Sequence, residues 1–255
     1  MKNIMDLFYH LNSFFQPPGI GVILLYHRIA DVTNDPHQLS VSKIHFKQQV
    51  RWLTENAHIV PLLTLLHNLK NNVIYPRSVS ITFDDGYADN YFNAQPILHA
   101  YKVPTTFFVT AAKIGDNKPF YWDTIARVRD QGRPLTKIEL MQLSRKPLVE
   151  IGSHSMSHPH LSAVSNGEQK EEISKSKRQV ENMVGKTING FSYPFGTKRD
   201  YNNKTLKIVQ ASGYRYACAN FPGRVTTLSN PYALPRYIIR NWPKEVFMQK
   251  MKLLL

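Results

Sequence analysis

Short apolar runs alternate with amphipathic stretches over most of the chain. The apolar runs are β-branched or have a period of two, which predicts strands, whereas apolar positions every three or four residues predict helices. We predict strands over residues 21–26, 59–62, 79–83, 105–109, 148–151, 191–194, 214–219 and 237–240. We predict helices over residues 46–56, 65–69, 90–101, 165–185, 204–211 and 245–254. The long fourth helix has capping-box spacing at Ser165 and Glu168 and a closing glycine, Gly185.

This alternation favours a mainly parallel sheet that is covered by helices. About seven β/α units without a repeat or a linker predict an α/β fold, a single distorted β/α barrel over residues 19–255 that is either closed or incomplete. Residues 110–146 break the rhythm, and we expect an insertion rich in Lys and Arg there. Residues 1–18 have helical apolar spacing, which predicts an N-terminal amphipathic helix that lies on the protein's own body or in a membrane interface.

The composition narrows the class of protein. With 255 residues, 42% of them hydrophobic, the chain can bury a full core, which excludes a disordered or fibrous protein. The single cysteine, Cys218, allows no intrachain disulfide and is expected to be buried. No apolar run approaches the roughly 20 residues that cross a bilayer, and polar residues interrupt any signal-peptide core. We therefore expect a cytoplasmic protein or one that is peripheral to a membrane.

The net charge of +14 is unevenly distributed. Residues 1–100 carry 7 basic and 7 acidic side chains, whereas residues 101–255 carry 25 basic and 11 acidic ones. This excess suits an acidic partner, such as an anionic membrane surface or a charged glycan. Nucleic acid is disfavoured because the cations are dispersed rather than gathered in one arm. Nothing in the sequence indicates an oligomeric state.

Three predicted strands end in residues that metal-dependent hydrolysis uses. The strand over residues 79–83 runs into Asp84, Asp85 and Gly86. A bend at the glycine can bring both carboxylates into one pocket, one to a metal ion and one to a water molecule. The alternative is a loop that happens to carry two acids. Active sites of β/α barrels lie at the carboxyl ends of strands, so these two side chains are candidates for catalysis.

The other two strand ends carry histidines and a tight turn. His154 and His158 have a spacing that lets two imidazoles share one face of a turn and bind one ion, as zinc requires of nitrogen ligands. His160 is a third candidate, but the proline before it aims its ring away from the site. The segment from Tyr193 to Phe195, followed by a glycine, can point a backbone N–H at a developing oxyanion.

Together and in this order, the three motifs resemble those of the polysaccharide deacetylases of carbohydrate esterase family 4, over about residues 22–240. Thr-Phe-Asp-Asp-Gly and His-Ser-x-x-His match the family pattern without substitution. The resemblance implies a distorted β/α barrel, with Asp84 as general base and with Asp85, His154 and His158 as ligands of one divalent metal ion. Zinc is the first candidate for that ion. The resemblance also implies that the backbone of Phe195 contributes to an oxyanion hole.

Two departures from the family pattern change the expected site. Ser192 stands where many members carry the arginine that orients the base, and Arg236 is the best substitute partner for Asp84. The alternative for Arg236 is a surface cation. No histidine follows His160 in place of the family's late Leu-x-His. Resemblance to the branch with an N-terminal Tyr-His implies that His27 is the general acid, the alternative being a structural histidine bonded to the strand end.

Two further side chains are candidates for contact with substrate. Tyr193 belongs to the third motif, and Asp123 lies in an aromatic stretch, where a turn or helix-cap role is the simpler interpretation. The whole set predicts metal-dependent hydrolysis of N-acetyl groups on the amino sugars of a polysaccharide or a lipid-linked glycan, with release of acetate. Two alternatives stay open. One is a carbohydrate O-deacetylase on the same site, and the other is a catalytically impaired module that binds glycan or an anionic surface.

Overall fold

A computed structural model describes residues 20–71, 73, 75–125 and 132–255. A curled sheet of parallel strands forms its centre, in the order β10-β1-β5-β6-β7-β8-β9, with β4 added beside the start of β5. The strands are β1 Gly21–Tyr26, β2 Arg28–Ile29, β3 Ser40–Val41, β4 His58–Ile59, β5 Ser78–Phe83, β6 Thr105–Val109, β7 Val149–Ser153, β8 Gly190–Ser192, β9 Tyr216–Cys218 and β10 Tyr237–Ile238. The predicted α/β class and the incomplete β/α barrel are thereby confirmed.

Helices pack against this sheet. They are α1 Lys43–Asn56, α2 Leu62–Lys70, α3 Gln95–Ala100, α4 Tyr121–Ile125, α5 Lys137–Ser144, α6 Asn166–Val184, α7 Asn203–Ala211 and α8 Lys244–Leu254. The capping box at Ser165 and Glu168 opens α6, and Gly185, in the left-handed conformation, ends it, as the sequence predicts. A π-helical segment, Asn90–Ala94, precedes α3.

A short segment after β9 closes most of the gap between the two edges of the sheet. Leu234 bridges Cys218 of β9 in parallel, and four residues later Ile238 pairs with Leu25 of β1. We call residues 234–238 the seam. Because the seam lies between the last strand and the first, the chain's N-terminal strand and its C-terminal quarter meet at one place in the barrel wall. Arg236 lies within it.

Alternate residues of the strands pack into two separate apolar clusters, an outer one beneath most of the helices and an inner one that includes the buried leucines of α2. The inner cluster includes Phe108 and Tyr216, which face strands that carry glycine. A Cβ atom at Gly152 would lie 2.4 Å from the Phe108 ring, and one at Gly190 would lie 2.4 Å from the Tyr216 ring. The two aromatic rings therefore fill space in the barrel's interior that the glycines on the neighbouring strands leave open.

The structure departs from the sequence predictions mainly at short elements. Leu62, assigned to a strand, instead begins α2, because β4 contains only two residues. The two-residue strands β2 and β3 pair with each other and were not predicted. The predicted insertion over residues 110–146 contains α4 and α5, whose Leu140 and Leu143 are buried. The predicted amphipathic helix over residues 1–18 lies outside the described residues.

Two further features concern the surface and the membrane. The cations on α6 are exposed or half-buried, whereas Ser176 between them is fully buried. Within the described ranges, no helix combines the length and the apolar character needed to cross a bilayer.

Candidate active site

The carboxyl ends of β1, β5, β7 and β8 meet at one edge of the barrel, where the motif residues lie. The last ladder bonds hold the backbone of these residues in place: Asp84 N–H donates to the Tyr26 carbonyl (3.0 Å), and His154 N–H donates to the Val109 carbonyl (2.8 Å). Parallel strands thus deliver side chains from four distant parts of the sequence to one pocket, as in other β/α barrels.

Asp85, His154 and His158 form a buried cluster whose ligand atoms all lie within 4.8 Å of one another. The Nε2 atoms of His154 and His158 lie 3.3 Å and 3.5 Å from the same oxygen, Oδ1 of Asp85. Among the described residues, this is the group of three whose geometry could hold a metal ion. One carboxylate and two imidazoles leave further coordination positions open to water and substrate, which is the arrangement of catalytic rather than structural sites.

Left-handed backbone places two of these ligands. Asp85 has φ of 74° and Gly86 has φ of 87°, so the chain turns sharply directly after Asp84. This turn lets neighbouring carboxylates, which would face opposite sides of a regular strand, enter the same pocket. Ser155 and His158 also have positive φ, of 62° and 67°. Such conformations are unfavourable for residues with a side chain and concentrate at functional sites.

Hydrogen bonds fix the loop of residues 154–158. Nδ1 of His154 lies 2.8 Å from the Ser192 carbonyl, which directs Nε2 toward Asp85. On α6, the Glu172 carboxylate accepts bonds from Met156 N–H (3.0 Å), Ser157 N–H (2.8 Å) and Ser157 Oγ (2.7 Å). Glu172 therefore clamps the segment between the two histidines to a long helix.

Asp84 forms a buried ion pair with Arg236. The guanidinium donates to both carboxylate oxygens, Nη1 to Oδ1 at 2.8 Å and Nη2 to Oδ2 at 2.6 Å. Ser192 Oγ donates to Oδ2 of Asp84 (2.9 Å) and accepts from Nη2 of Arg236 (2.8 Å). The Arg236 Nε bonds the Ala219 carbonyl at 2.8 Å, which anchors the arginine to the chain after β9. A two-point bond of this kind fixes the orientation of a carboxylate.

Burial raises the pKa of Asp84, but the charge of Arg236 and the neighbouring His154 outweigh it, so this pKa lies below its usual range. Burial also raises the pKa of Asp85, and the bonds from His154 and His158 reverse that effect, so the pKa of Asp85 also lies below the ordinary value. Both aspartates are therefore carboxylates at neutral pH. One is held by a fixed cation and the other is available to a metal ion.

His27 follows β1 and lines the same cavity as Asp84 and Asp85. Burial lowers the pKa of its imidazole, and the two carboxylates, which act in the opposite direction, do not offset this. His27 is far in sequence from the other residues of the site. It shares their cavity because β1, which it follows, pairs with β5 along its whole length.

The cavity has a volume of about 320 Å³, and apolar side chains form part of its wall. The Trp122 ring lies 4.6 Å from the ring of His158, centroid to centroid, and the Phe195 ring lies 4.8 Å from it on another side. Trp122 Nε1 donates to the Tyr87 hydroxyl at 2.7 Å, which holds the indole in place. These rings limit the access of bulk water to the metal ligands.

The Phe195 backbone has φ of 57°, and its N–H donates no hydrogen bond to any residue in the part of the chain that the structure describes. Asn220 holds this turn through a bond from Nδ2 to the Phe195 carbonyl at 3.0 Å. The Phe195 backbone, the predicted oxyanion donor, thus belongs to a residue of the cavity wall.

The remaining candidates lie further from the reacting groups. Tyr193 lines the cavity, but its hydroxyl donates to the Tyr232 carbonyl at 2.9 Å. Asp123 is buried behind the cavity wall and accepts from the Tyr87 hydroxyl at 2.9 Å, and it lies in the first turn of α4. The imidazole of His160 stacks on Phe195 at 3.7 Å, and its Nδ1 lies 2.7 Å from Asp200, away from the metal ligands.

Sequence reasoning missed three residues of the site. Ser192 stands where many family members have an arginine, so no role of its own could be assigned to it from the sequence, although its hydroxyl joins Asp84 to Arg236. Trp122 was overlooked beside Asp123, although an indole next to a polar residue in an aromatic stretch was the available signal. Glu172 gave no signal, because one acid on an amphipathic helix does not reveal the loop that it contacts.

The sequence profile of the polysaccharide deacetylases matches residues 74–217, more than half of the chain. The chain therefore belongs to the polysaccharide deacetylase family, whose members are hydrolases that deacetylate carbohydrate. It is similar to a poly-beta-1,6-N-acetyl-D-glucosamine N-deacetylase of Staphylococcus aureus, with 28% identity over 211 residues, 78% of this chain and 68% of that protein.

Solved structures share the fold. The deacetylase PplD of Streptococcus pyogenes, determined in complex with acetate, superposes with a TM-score of 0.76 at 24% identity, over 92% of this chain and 99% of that one. IcaB from Ammonifex degensii superposes with a TM-score of 0.75 at 20% identity, over 93% and 97% of the two chains. The same curled β/α architecture therefore recurs at low sequence identity.

Proposed function

We propose that the chain is a metal-dependent N-deacetylase that acts on N-acetylated amino sugars of a glycan, with β-1,6-linked N-acetylglucosamine as the first substrate to test. One observation carries the proposal. The cavity that holds the Asp85, His154 and His158 cluster also holds Asp84, in its ion pair with Arg236, and His27. Such a cavity brings together side chains suited to bind a metal ion, to accept a proton and to donate one. The related S. aureus protein, described as an N-deacetylase, supports the choice of substrate.

The donor set fits a divalent metal ion, because two imidazole nitrogens and one carboxylate oxygen are ligands that zinc accepts. We propose zinc, with Asp85, His154 and His158 as its ligands. When bound, such an ion supplies Lewis-acid polarisation of the acetyl carbonyl and of water.

Asp84 is proposed to accept the proton of the attacking water. Its position is set by Arg236 and Ser192, so that the carboxylate does not rotate as the proton arrives. The free N–H of Phe195 would donate a hydrogen bond to the oxyanion that forms as water adds to the carbonyl.

His27 is proposed to give its proton to the departing nitrogen. An amine anion is far too basic to leave, so cleavage of the C–N bond requires an acid on that side. The products are acetate and a free amino sugar. Burial lowers the pKa of the His27 imidazole, and only its protonated form can act as this acid.

The decisive experiment is to measure acetate release from β-1,6-linked N-acetylglucosamine oligomers and from O-acetylated glycans, with and without a chelator. Chelator-sensitive release from the amide substrate supports the proposal. Release only from esters would favour an O-deacetylase. Binding of glycan without release from either substrate would favour the impaired binding module.

A comparison of substrates tests the role of His27. His27→Ala should slow amide substrates by roughly 10²–10⁴-fold but slow an activated aryl acetate much less, because the aryl leaving group needs no proton. His160→Ala is the matched control, since that imidazole bonds Asp200 instead. Equal losses on both substrates would mean that His27 has a structural role.

We also propose that the exposed cations after β8 and on α7 draw the protein to an anionic surface. The side chains concerned are Lys198, Arg199, Lys204 and Lys207, and all four are exposed. Each well-placed cation adds about 1 kcal/mol of attraction to an anionic bilayer. Cosedimentation with phosphatidylserine vesicles should therefore fall as salt rises. Binding that is absent at low salt would leave charge-assisted capture of substrate as the role of these cations.

A further inference from the structure

A second cavity lies beside the catalytic one. It has a volume of about 550 Å³, and we call it the flanking cavity. Its wall is formed by the turn after β2, by β3 and by the segment that follows β10. Arg240 belongs to the walls of both cavities. The two spaces are thus neighbours, separated by one narrow ridge.

The ridge consists of residues 37–40, whose alternate side chains face opposite sides. His37 and Leu39 line the catalytic cavity, whereas Gln38 and Ser40 line the flanking cavity. The backbone is left-handed at Gln38, with φ of 52°, and β3 begins at Ser40. One stretch of four residues thereby shapes both cavities.

Hydrogen bonds hold the ridge in place. Arg240 Nη1 donates to the His37 carbonyl at 3.1 Å and also to the Gln38 carbonyl. The Asp35 carboxylate accepts from Leu39 N–H at 3.0 Å and from Ser40 N–H at 2.7 Å. The flanking cavity is therefore built before any ligand arrives, which lowers the entropic cost of binding.

The wall of the flanking cavity is aromatic and polar, and both of its acids already have partners in the protein. The indole of Trp242 contributes an aromatic surface, and Lys250 lies on it, 4.7 Å from the ring centroid. Asp31 pairs with Lys43 at 3.4 Å. The carboxylate of Asp35 is occupied by the ridge, so neither acid is a vacant site for a cation.

Ser40 adds an independent sign of a ligand. Its side chain is 4% exposed and belongs to the cavity wall, and its hydroxyl has no hydrogen-bond partner among the described residues. Buried hydroxyls are normally bonded, and an unbonded one costs free energy that a ligand hydroxyl or water would recover. A neutral, hydroxyl-rich ring with one apolar face suits this combination of groups.

We propose that the flanking cavity is a second carbohydrate subsite, which holds the pyranose next to the sugar that is deacetylated. This inference rests on the proposed function. A sugar within a polymer must have a neighbour that leaves the catalytic cavity. The flanking cavity, on the other side of the ridge, has the size of a small ligand site and a lining that suits a sugar. The subsite would make the enzyme prefer chains to single sugars.

The test is the dependence of kcat/KM on chain length, from one to four β-1,6-linked N-acetylglucosamine units. Thr33→Trp fills the flanking cavity and removes no hydrogen bond that the structure shows. Leu228→Trp is the matched control, because Leu228 is 94% exposed and lies outside both cavities. We expect kcat/KM to rise with length in the wild type. Thr33→Trp should lower it about tenfold on the tetramer, mainly through KM, and leave the single sugar unchanged.

Equal losses on the monomer and the tetramer would overturn the proposal, and so would a wild type that is indifferent to chain length. Failure of the proposed function looks different, because the wild type would then release no acetate from any oligomer. Calorimetric titration with the tetramer decides that case. Binding that Thr33→Trp abolishes and Leu228→Trp preserves would still support a sugar site. No binding to the wild type would overturn it.

Discussion

Asp84 and Asp85 are adjacent in sequence and equally buried at 3% exposure, yet their carboxylates contact different groups. Asp84 is paired with a built-in cation, Arg236, and each of its oxygens accepts at least one hydrogen bond from the protein. Asp85 faces the imidazoles of His154 and His158, and no Lys or Arg bonds it among the described residues. The difference supports the roles proposed for the two side chains, proton transfer for Asp84 and metal binding for Asp85, because the rest of the barrel brings different groups to each.

The largest expected effect separates these two carboxylates. Asp84→Asn should lower kcat by about 10²-fold or more and keep one metal ion per chain, because it removes the proton acceptor but no ligand. Asp85→Asn should instead lose metal, since an amide oxygen is a poorer ligand than a carboxylate. Kinetics together with elemental analysis measure both. Parallel loss of metal in the two variants would contradict the assignment.

The ion pair on the Asp84 side can be broken from its other end. Arg236→Met should destabilise the fold by about 3–5 kcal/mol, because it leaves a buried carboxylate without a partner. The double variant with Asp84→Asn should recover much of that loss, since the charge that needs compensation is then gone. Denaturant unfolding of all four proteins gives the coupling. If the two single losses simply add, Arg236 does not stabilise Asp84 in the folded protein.

The metal side depends on the clamp from α6. Glu172→Ala should weaken metal affinity on the order of tenfold, because the segment between His154 and His158 loses three hydrogen bonds to one carboxylate. Lys175→Ala, on the same helix and exposed, is the control. Competition with a chromogenic chelator measures the affinity. An unchanged dissociation constant would show that strand geometry alone places the ligands.

The smallest expected effect concerns Glu150. Its carboxylate differs from those of Asp84 and Asp85, because in the described part of the chain it has neither a bonded cation nor a place in a metal site. Thr106 Oγ1 donates to its Oε2 at 3.2 Å, while Oε1 has no partner within the described residues. Burial raises the pKa of Glu150 in the folded protein. The stability associated with its protonated form is therefore present below the unfolded pKa, about 4.3, and is lost as the pH rises through the folded pKa.

Glu150→Gln should accordingly raise Tm at pH 8 relative to the wild type and leave it nearly unchanged near pH 4. The substitution keeps the size of the side chain and removes the charge that burial disfavours. Thermal unfolding of both proteins across this range checks the sign. A variant that is less stable at pH 8 would mean that the carboxylate is compensated in the folded state.

The sequence predicts the parts of this molecule that short-range patterns control. Apolar runs with a period of two located the long strands, and the capping box at Ser165 located α6, because both patterns act within a few residues. The two-residue strands β2 and β3 escaped, since a period cannot be read from two positions. The motifs that follow β5 and β7 indicated the metal cluster, because each motif carries its ligands within a few residues of its strand.

Long-range contacts explain what the sequence did not show. The role of Ser192 depends on Arg236, 44 residues away, and that of Glu172 on a loop 15 residues before it. His27 and Arg236 could be proposed only by analogy and by elimination. Both lie outside the segment that the family profile matches, so their place in the site comes from the pairing of β1 with β5 and with β10.

The seam has a consequence for synthesis of the protein. A ribosome that has made residues up to 220 has already supplied every proposed metal ligand, the base and the oxyanion turn, but not Arg236. Capture of metal and competence for proton transfer are therefore acquired at different times. A chain at that stage contains the three proposed ligands but lacks the guanidinium that orients the proposed base. The pair of Asp84 and Arg236 can therefore form only after the C-terminal quarter has docked against the first strand.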